Sequence, residues 1–405
     1  MLAALIPLFD ENMAVSAYSL FAQKENLFQE PHMMIAAQHD GAYTIRGLEV
    51  IESMGLQTIA PGAEIFVPIS NVSLFVDIEN QCSANHNNIV LYINNSVKVT
   101  EQYADRILEL KRMGYKFAMG RLGVDEYETY RSIIMMMDYI VIDSQAMDVS
   151  KAKIYFNRVY PKLKIVVSNI PDQDAFDKYK ETGFNLYEGP FYRIPVAKGA
   201  TEIAPLKMNY LELINIVQGP NFELSDVAKI IGRDTALAIS LLNIANRLSR
   251  NSEITSLKHA AAMLGQKEMK RWILTAVTKE LCADKPNEIT RLSLLRAKFA
   301  ENLAKVFGLE SEASNLFLMG LFSVIDIILD TTMHEALKMI ALPKNIETAY
   351  LTGEGDLAEV LAFIKNYERG DWIEVGKAEL IDGVDLDKVY AAYCQSYRWY
   401  RDMFY

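Results

Sequence analysis

The chain has 405 residues, 51% hydrophobic and 23% charged, with 41 Lys+Arg against 52 Asp+Glu and a formal net charge of −11. This composition excludes disorder and low complexity, and the length predicts two or three domains, each large enough to bury a core without disulfides or metals. The charge divides evenly, with 18 basic and 24 acidic residues up to Ala200 and 23 and 28 after it, so neither half has the bulk charge of a nucleic-acid-binding module.

The N-terminus, MLAALIPLFDEN, lacks the basic start and long apolar run of a signal peptide and reads as a first strand. Candidate strands follow in order: Ala3 to Phe9, Val15 to Ala22, Leu74 to Ile78, Ile89 to Ile93, Lys116 to Met119, Tyr139 to Ile142, Lys164 to Val167 and Leu186 to Phe191. Several are apolar on consecutive residues, as strands covered on both faces of a parallel sheet require. Helical patterns lie between them, such as Thr100 to Met113, where Tyr103, Ile107, Leu108 and Leu110 share a face and Gly114 stops the turn. Repeated strand–helix–strand units at this count predict a (β/α) barrel. The run Met135, Met136 and Met137 reads as barrel packing.

After Pro195 the strand signal stops. The segment Val196 to Pro205 reads as a boundary, giving expected domains at 1–197 and 198–405 that each fold alone. Ser225 and Ser256 are expected helix caps, Gly265 a stop, and longer helices are expected at Thr290 to Phe307, Ala313 to Ile328, Asp356 to Arg369 and Asp385 to Met403. The last carries Tyr390, Tyr393, Tyr397, Tyr400 and Phe404 as an aromatic stripe, with Trp399 beside it. Packing on its own domain is the plainer reading of the stripe. A partner surface at Tyr393, Tyr397, Trp399 and Tyr400 is the sharper one. The basic cluster Lys258, Lys267, Lys270 and Arg271 is interrupted by Glu268 and reads as a solvated face.

Cys82, Cys282 and Cys394 form no CxxC pair, and the apolar stretch Leu316 to Leu329 is too short to span a membrane. A cytoplasmic protein with no membrane span is expected. His32, His39 and His86, like His259 and His334, show no metal spacing.

The runs IPLFDENMAVSAYSLFAQ, GYKFAMGRLG, DYIVID and GFNLYEGPFYRIP in the barrel half are similar, in order, to an opening hairpin, GY-x-x-A-x-DDFG, D-x-IK-x-D and G-x-x-x-x-QGY-x-x-x-P. By these motifs the barrel half resembles the EAL family of cyclic di-GMP phosphodiesterases. Active members resemble other two-metal phosphodiesterases, which hold two divalent ions on hard oxygen ligands. By the resemblance, Ser19 stands at the signature Glu and Gln23 at the Arg that ends the motif. Tyr92 replaces a second Glu, Gly120 and Arg121 the paired aspartates, Val141 the catalytic Lys and Ser168 a further Glu. Asp143, and Asp77 on an expected third strand, are the vestigial carboxylates. Ile6 and Glu188 occupy ligand-contacting positions. An Arg where dications bridge reverses the field that held them.

In the second half, FELSDVAKIIGRDTALAISLLNIANRLS, ITSLKHAAAMLG and FLMGLFSVID follow in order. By these runs it resembles the HDOD domain, a helical relative of the HD phosphohydrolases without their metal ligands, with Ser323 and Val324 where an HD enzyme has His and Asp. The expected fold is therefore α/β plus all-α, an EAL-type TIM-like barrel followed by an all-helical HDOD domain. The expected function is a non-catalytic signalling scaffold that binds other signalling proteins, needs no cofactor or metal, and takes neither nucleic acid nor cyclic di-GMP. A cyclic di-GMP sensor without hydrolysis and an active phosphodiesterase are the alternatives.

Overall fold

The computed structural model describes residues 1–23, 44–194, 204–219, 222–249 and 254–404. Eight strands close a barrel in sequence order: β1 Leu2–Phe9, β2 Val15–Gln23, β3 Glu64–Pro68, β4 Ile89–Ile93, β5 Lys116–Met119, β6 Tyr139–Asp143, β7 Lys164–Ser168 and β8 Leu186–Glu188. β1 runs antiparallel to both its neighbours, and every other neighbouring pair is parallel.

The third strand differs from the expectation. Leu74 to Ile78 is not a strand, because the Ser70 hydroxyl accepts the Ser73 N–H at 3.0 Å and turns the chain into a short 3-10 helix at Ser73–Phe75. β3 is instead EIFVP, which follows the turn at Pro61–Gly62, ends on Pro68 and carries little pattern of its own. β8 ends at Glu188 because Gly189 packs on the Ile170 backbone, where a Cβ would lie 2.2 Å from a carbonyl oxygen, and Pro190 opens a 3-10 turn. The expected helix after β4 spans Glu101–Arg112 and buries Ile107 and Leu110, but Leu108 is 40% exposed.

One buried side chain from each strand fills the middle of the barrel, Leu8, Phe66, Val90, Tyr139 and Val166 among them. Strand side chains alternate with period two, so residues two positions later point to the same interior one layer nearer the C-terminal end. Those residues are Ser19, Tyr92, Gly120, Val141, Ser168 and Glu188. The sites named from separate motifs thus converge by register alone.

By compactness the chain forms two units, one of Met1–Ile194, Lys298–Ala313 and Val360–Tyr405, the other of Pro195–Ala297 and Ser314–Glu359. This division places Lys298–Ala313 and Val360–Tyr405 with the barrel, whereas the expected organisation had a single cut after residue 197; most of the expected linker, 196–203, lies outside the described residues. The physical reason is β1. A hairpin joins it to β2, so no crossover helix covers its outer side, and the C-terminal helix Leu386–Phe404 packs there. Tyr367 Oη accepts the Ala3 N–H at 3.3 Å, and Arg401 Nη1 donates to Thr58 Oγ1 at 3.2 Å.

Tyr393 and Tyr397 are 6% and 4% exposed, with their hydroxyls 3.0 Å apart and Tyr393 edge-on to Phe299. These two are core, which corrects their assignment to a partner surface: the stripe covers the barrel. Trp399 and Tyr400 are half-buried.

In the second unit, helices span Pro205–Gln218, Leu224–Ile231, Thr235–Leu248 and Leu257–Leu281, the last broken at Gly265, whose φ of 71° ends its first segment as expected. Glu223, not Ser225, precedes the second of these, and Ser256 precedes the fourth without a side-chain cap bond. The expected helix Ala313 to Ile328 divides into Ala313–Phe322 and Ile325–Leu329. Asn246 explains one motif: its amide donates to Leu242 O and Ile254 O and accepts the Ile254 N–H at 2.7 Å, tying the NIAN run to the start of ITSL. Arg271 lies over the Phe317 ring at 5.3 Å, so the basic cluster is partly engaged in packing.

Tyr393→Ala is expected to cost about 3–5 kcal/mol by opening a cavity under β1, and ending the chain before Asp385 should expose apolar surface that binds a hydrophobic dye. Urea denaturation and dye fluorescence measure both; a truncated chain with an unchanged midpoint and no dye binding would show that the barrel needs no C-terminal cover.

Candidate functional site

The C-terminal mouth of the barrel opens on a cavity of about 640 Å³ lined by Ser19, Tyr92, Arg121, Val141, Asp143, Ser168 and Glu188, over a floor of Ile6, Leu8, Phe66 and Val166. Every expected replacement except Gln23 and Gly120 lines it, and Gly120 lies directly behind Tyr92. A Cβ built on Gly120 would fall 2.3 Å from Tyr92 Oη and 2.9 Å from its ring. The phenol therefore occupies the space that any side chain at 120 would need, and the two replacements are sterically one change.

Asp77 is not part of this site. It lies in the loop after Ser73–Phe75, where both its carboxylate oxygens accept the Asn80 amide at 2.9 Å. Its placement at the mouth depended on a third strand at Leu74 to Ile78 and fails with it. Asp143 ends β6 at the mouth, and its Oδ1 accepts the Gln145 N–H at 2.8 Å. His32 and His39 lie outside the described residues, while His86 stacks on Tyr115 at 4.2 Å.

The charges at the mouth oppose one another. Burial pushes the Tyr92 phenol up from its usual range, with Arg121 pulling it down and Asp143 and Glu188 adding to the rise. Arg121 and Asn169 both take left-handed backbone, at φ 57° and 59°, and are two of the four non-glycine residues with positive φ among the described residues. Asn169 thereby turns its N–H onto Glu188 Oε2 at 3.0 Å. Arg369, from the helix Asp356–Arg369, adds a second guanidinium that the motifs did not point to, since it is about 180 residues from the nearest barrel strand in sequence. No group of three or more His, Cys, Asp or Glu is placed to hold a metal among the described residues.

In the second unit, Arg296 Nη1 donates to Ser323 Oγ at 3.1 Å, and Ser323 Oγ donates to Gly320 O at 2.7 Å. Gly320 permits this approach, because its Cβ would lie 2.4 Å from Arg296 O. A buried arginine and a hydroxyl thus meet at the position where the resemblance places His and Asp.

Residues 203–351 match the model of the HDOD domain, so the helical region contains one. The chain is 25% identical over 320 residues to "Cyclic di-GMP phosphodiesterase CdgJ" of Vibrio cholerae, covering 78% of this chain and 74% of that protein. It is 25% identical over 404 residues to "Uncharacterized protein YuxH" of Bacillus subtilis, covering 97% and 96%. Among solved structures, an EAL domain protein from Listeria monocytogenes is similar over 47% of this chain and 86% of its own, at 12% identity and a TM-score of 0.37. No helix among the described residues is long and apolar enough to cross a membrane.

Two predictions follow from the mouth. Gly120→Ala should destabilise the protein, and combining it with Tyr92→Leu should recover most of the loss in thermal melts; additive losses would show that the two positions do not share space. Loss of hydration raises the Glu188 carboxyl, against the pull of the Asn169 N–H and Arg193, with Asp143 adding to the rise. A carboxyl raised in the folded state is more protonated there than in the unfolded chain, so stability falls as pH climbs past the ordinary glutamate value of about 4.3. Glu188→Gln should therefore stabilise the protein at neutral pH and lose that advantage in acid, as urea melts at the two conditions would show.

Proposed function

We propose that this protein is a non-catalytic signalling scaffold that acts by binding other proteins, with a barrel mouth that no longer performs metal-assisted phosphodiester hydrolysis. The observation that carries this reading is the Tyr92–Gly120 contact, which fills the space of two positions where the family resemblance places carboxylates. The donor set at the mouth does not fit a pair of divalent ions. Two dications need several hard anionic ligands between and around them, whereas the lining here offers Asp143 and Glu188 against Arg121 and Arg369. Arg121 is permanently charged and repels a cation at the place where the paired aspartates would bridge the metals.

The name of the Vibrio cholerae relative carries the alternative of hydrolysis, and the cavity itself supports a further reading. About 640 Å³ with two guanidinium groups at the mouth could hold a phosphate-bearing ligand without turning it over. The buried thiols of Cys82, Cys282 and Cys394 fit a reducing compartment, which supports placing this protein in the cytoplasm.

Purified protein is expected to show no hydrolysis of cyclic di-GMP with Mg²⁺, Mn²⁺ or Ca²⁺ above a metal-only blank, and Ser19→Glu alone should not create it. Metal-dependent turnover by the unmodified chain would overturn the proposal. Calorimetry with the same dinucleotide separates the remaining readings, since heat of binding without turnover favours the sensor and none favours the scaffold.

A further inference from the structure

The opposite end of the barrel has a character of its own. Two positions before the middle layer, the first residues of β3, β5 and β7 are Glu64, Lys116 and Lys164. Glu64 pairs with Lys116 and accepts the Tyr139 hydroxyl at 2.6 Å. At the edge, Asp138 accepts Lys111 Nζ at 2.7 Å and the Phe117 N–H at 2.8 Å. Both carboxylates are thus already supplied with cations.

Two cations are left over. Lys164 contacts only the Tyr139 phenol, its Nζ 3.3 Å from the oxygen and 5.1 Å from the ring centre, and neither it nor Lys162 has a carboxylate within ion-pair distance among the described residues. Beside them Met135 is 70% exposed and Leu108 40%. The methionine run expected to be barrel packing is therefore divided: Met137 is 7% exposed, and Met135 stands in solvent. Two adjoining hollows of about 450 and 370 Å³ share Met135, Met137 and Lys162.

We propose that this N-terminal face of the barrel docks an acidic amphipathic segment of a partner protein, its carboxylates on Lys162 and Lys164 and its apolar side chains on Met135 and Leu108. Local charge complementarity selects the occupant: Lys162 and Lys164 are cations without a carboxylate in ion-pair range among the described residues, which favours acidic side chains on the partner. Exposed methionine supplies an apolar surface that adapts to the side chains laid on it. A nucleic acid is disfavoured because Asp138 lines the hollow and two of its four lysines, Lys111 and Lys116, are already paired. The inference goes beyond the scaffold reading and does not depend on the chemistry of the mouth, since a turnover assay tests one and a binding titration the other.

The test uses the full chain and a fluorescent peptide patterned as a helix, with Leu at positions i, i+3, i+4 and i+7 and Glu elsewhere. Anisotropy titration should show binding that weakens about tenfold or more when Lys162→Glu and Lys164→Glu are combined, and about threefold or more with Met135→Ser. Both variants change exposed side chains, and an unchanged thermal midpoint confirms that they remain folded. No binding of the peptide, or binding unaffected by the lysine reversals, overturns the proposal. So does equal or tighter binding by a Leu-to-Ser version of the peptide, a single-stranded oligonucleotide or phosphatidylserine vesicles. A dimer in sedimentation that the lysine reversals dissolve would make a second copy the occupant, and would also overturn it.

Discussion

The antiparallel entry of β1 is the constraint on which the first unit depends. A barrel strand needs an apolar cover on its outer side, and in a repeating β/α chain the crossover helix supplies it. A hairpin start removes that helix from the local sequence. The cover here comes from the last helix, Leu386–Phe404, so the two ends of the chain belong to one unit. Tyr367, Tyr393 and Phe299 are consequently buried together, with Tyr367 Oη satisfying an N–H of β1. A close-packed interior has no room for these rings to serve as an exposed binding stripe as well.

The mouth is packed by fitting a large side chain against an absent one. Replacing carboxylates with small residues alone would leave voids, and replacing them with large ones alone would overpack. Tyr92 and Gly120 avoid both by pairing a large side chain with an absent one. In the second unit, Gly320 lets the backbone at Arg296 approach closely, and the Arg296 guanidinium donates to Ser323 Oγ nearby. At both places an arginine stands at or beside a position where the resemblances put the metal-binding residues of active relatives.

The alternation of side chains gives the two ends of the barrel different natures from one register. Moving two residues along β7 leads from Lys164 through Val166 to Ser168, and along β4 from Val90 to Tyr92. The middle layer seals the barrel, so the polar chemistry of the mouth and the lysines of the opposite face share no space. The two ends of the barrel can therefore vary independently within one fold.

Much of this was legible in the amino-acid order. Strands such as Ile89–Ile93 and Lys116–Met119 stood out by their continuous apolar runs, the helix Asp356–Arg369 by its period, and Ser19, Tyr92, Arg121 and Ser168 by motif position. β3 was not, because EIFVP is short and bounded by prolines, while Leu74 to Ile78 resembles a strand until Ser70 draws its backbone into a turn. Local periodicity and motif order by themselves determined the barrel, the helical region and most of the residues that line the mouth, since those depend on residues near one another in the chain. Only the tertiary structure decided that Asp77 lies off the site, that Arg369 joins it, that the aromatic stripe covers β1 and that Met135 faces solvent. Each of these is a matter of which distant surface meets which, and that is set by packing, where complementary shapes hundreds of residues apart leave no local trace.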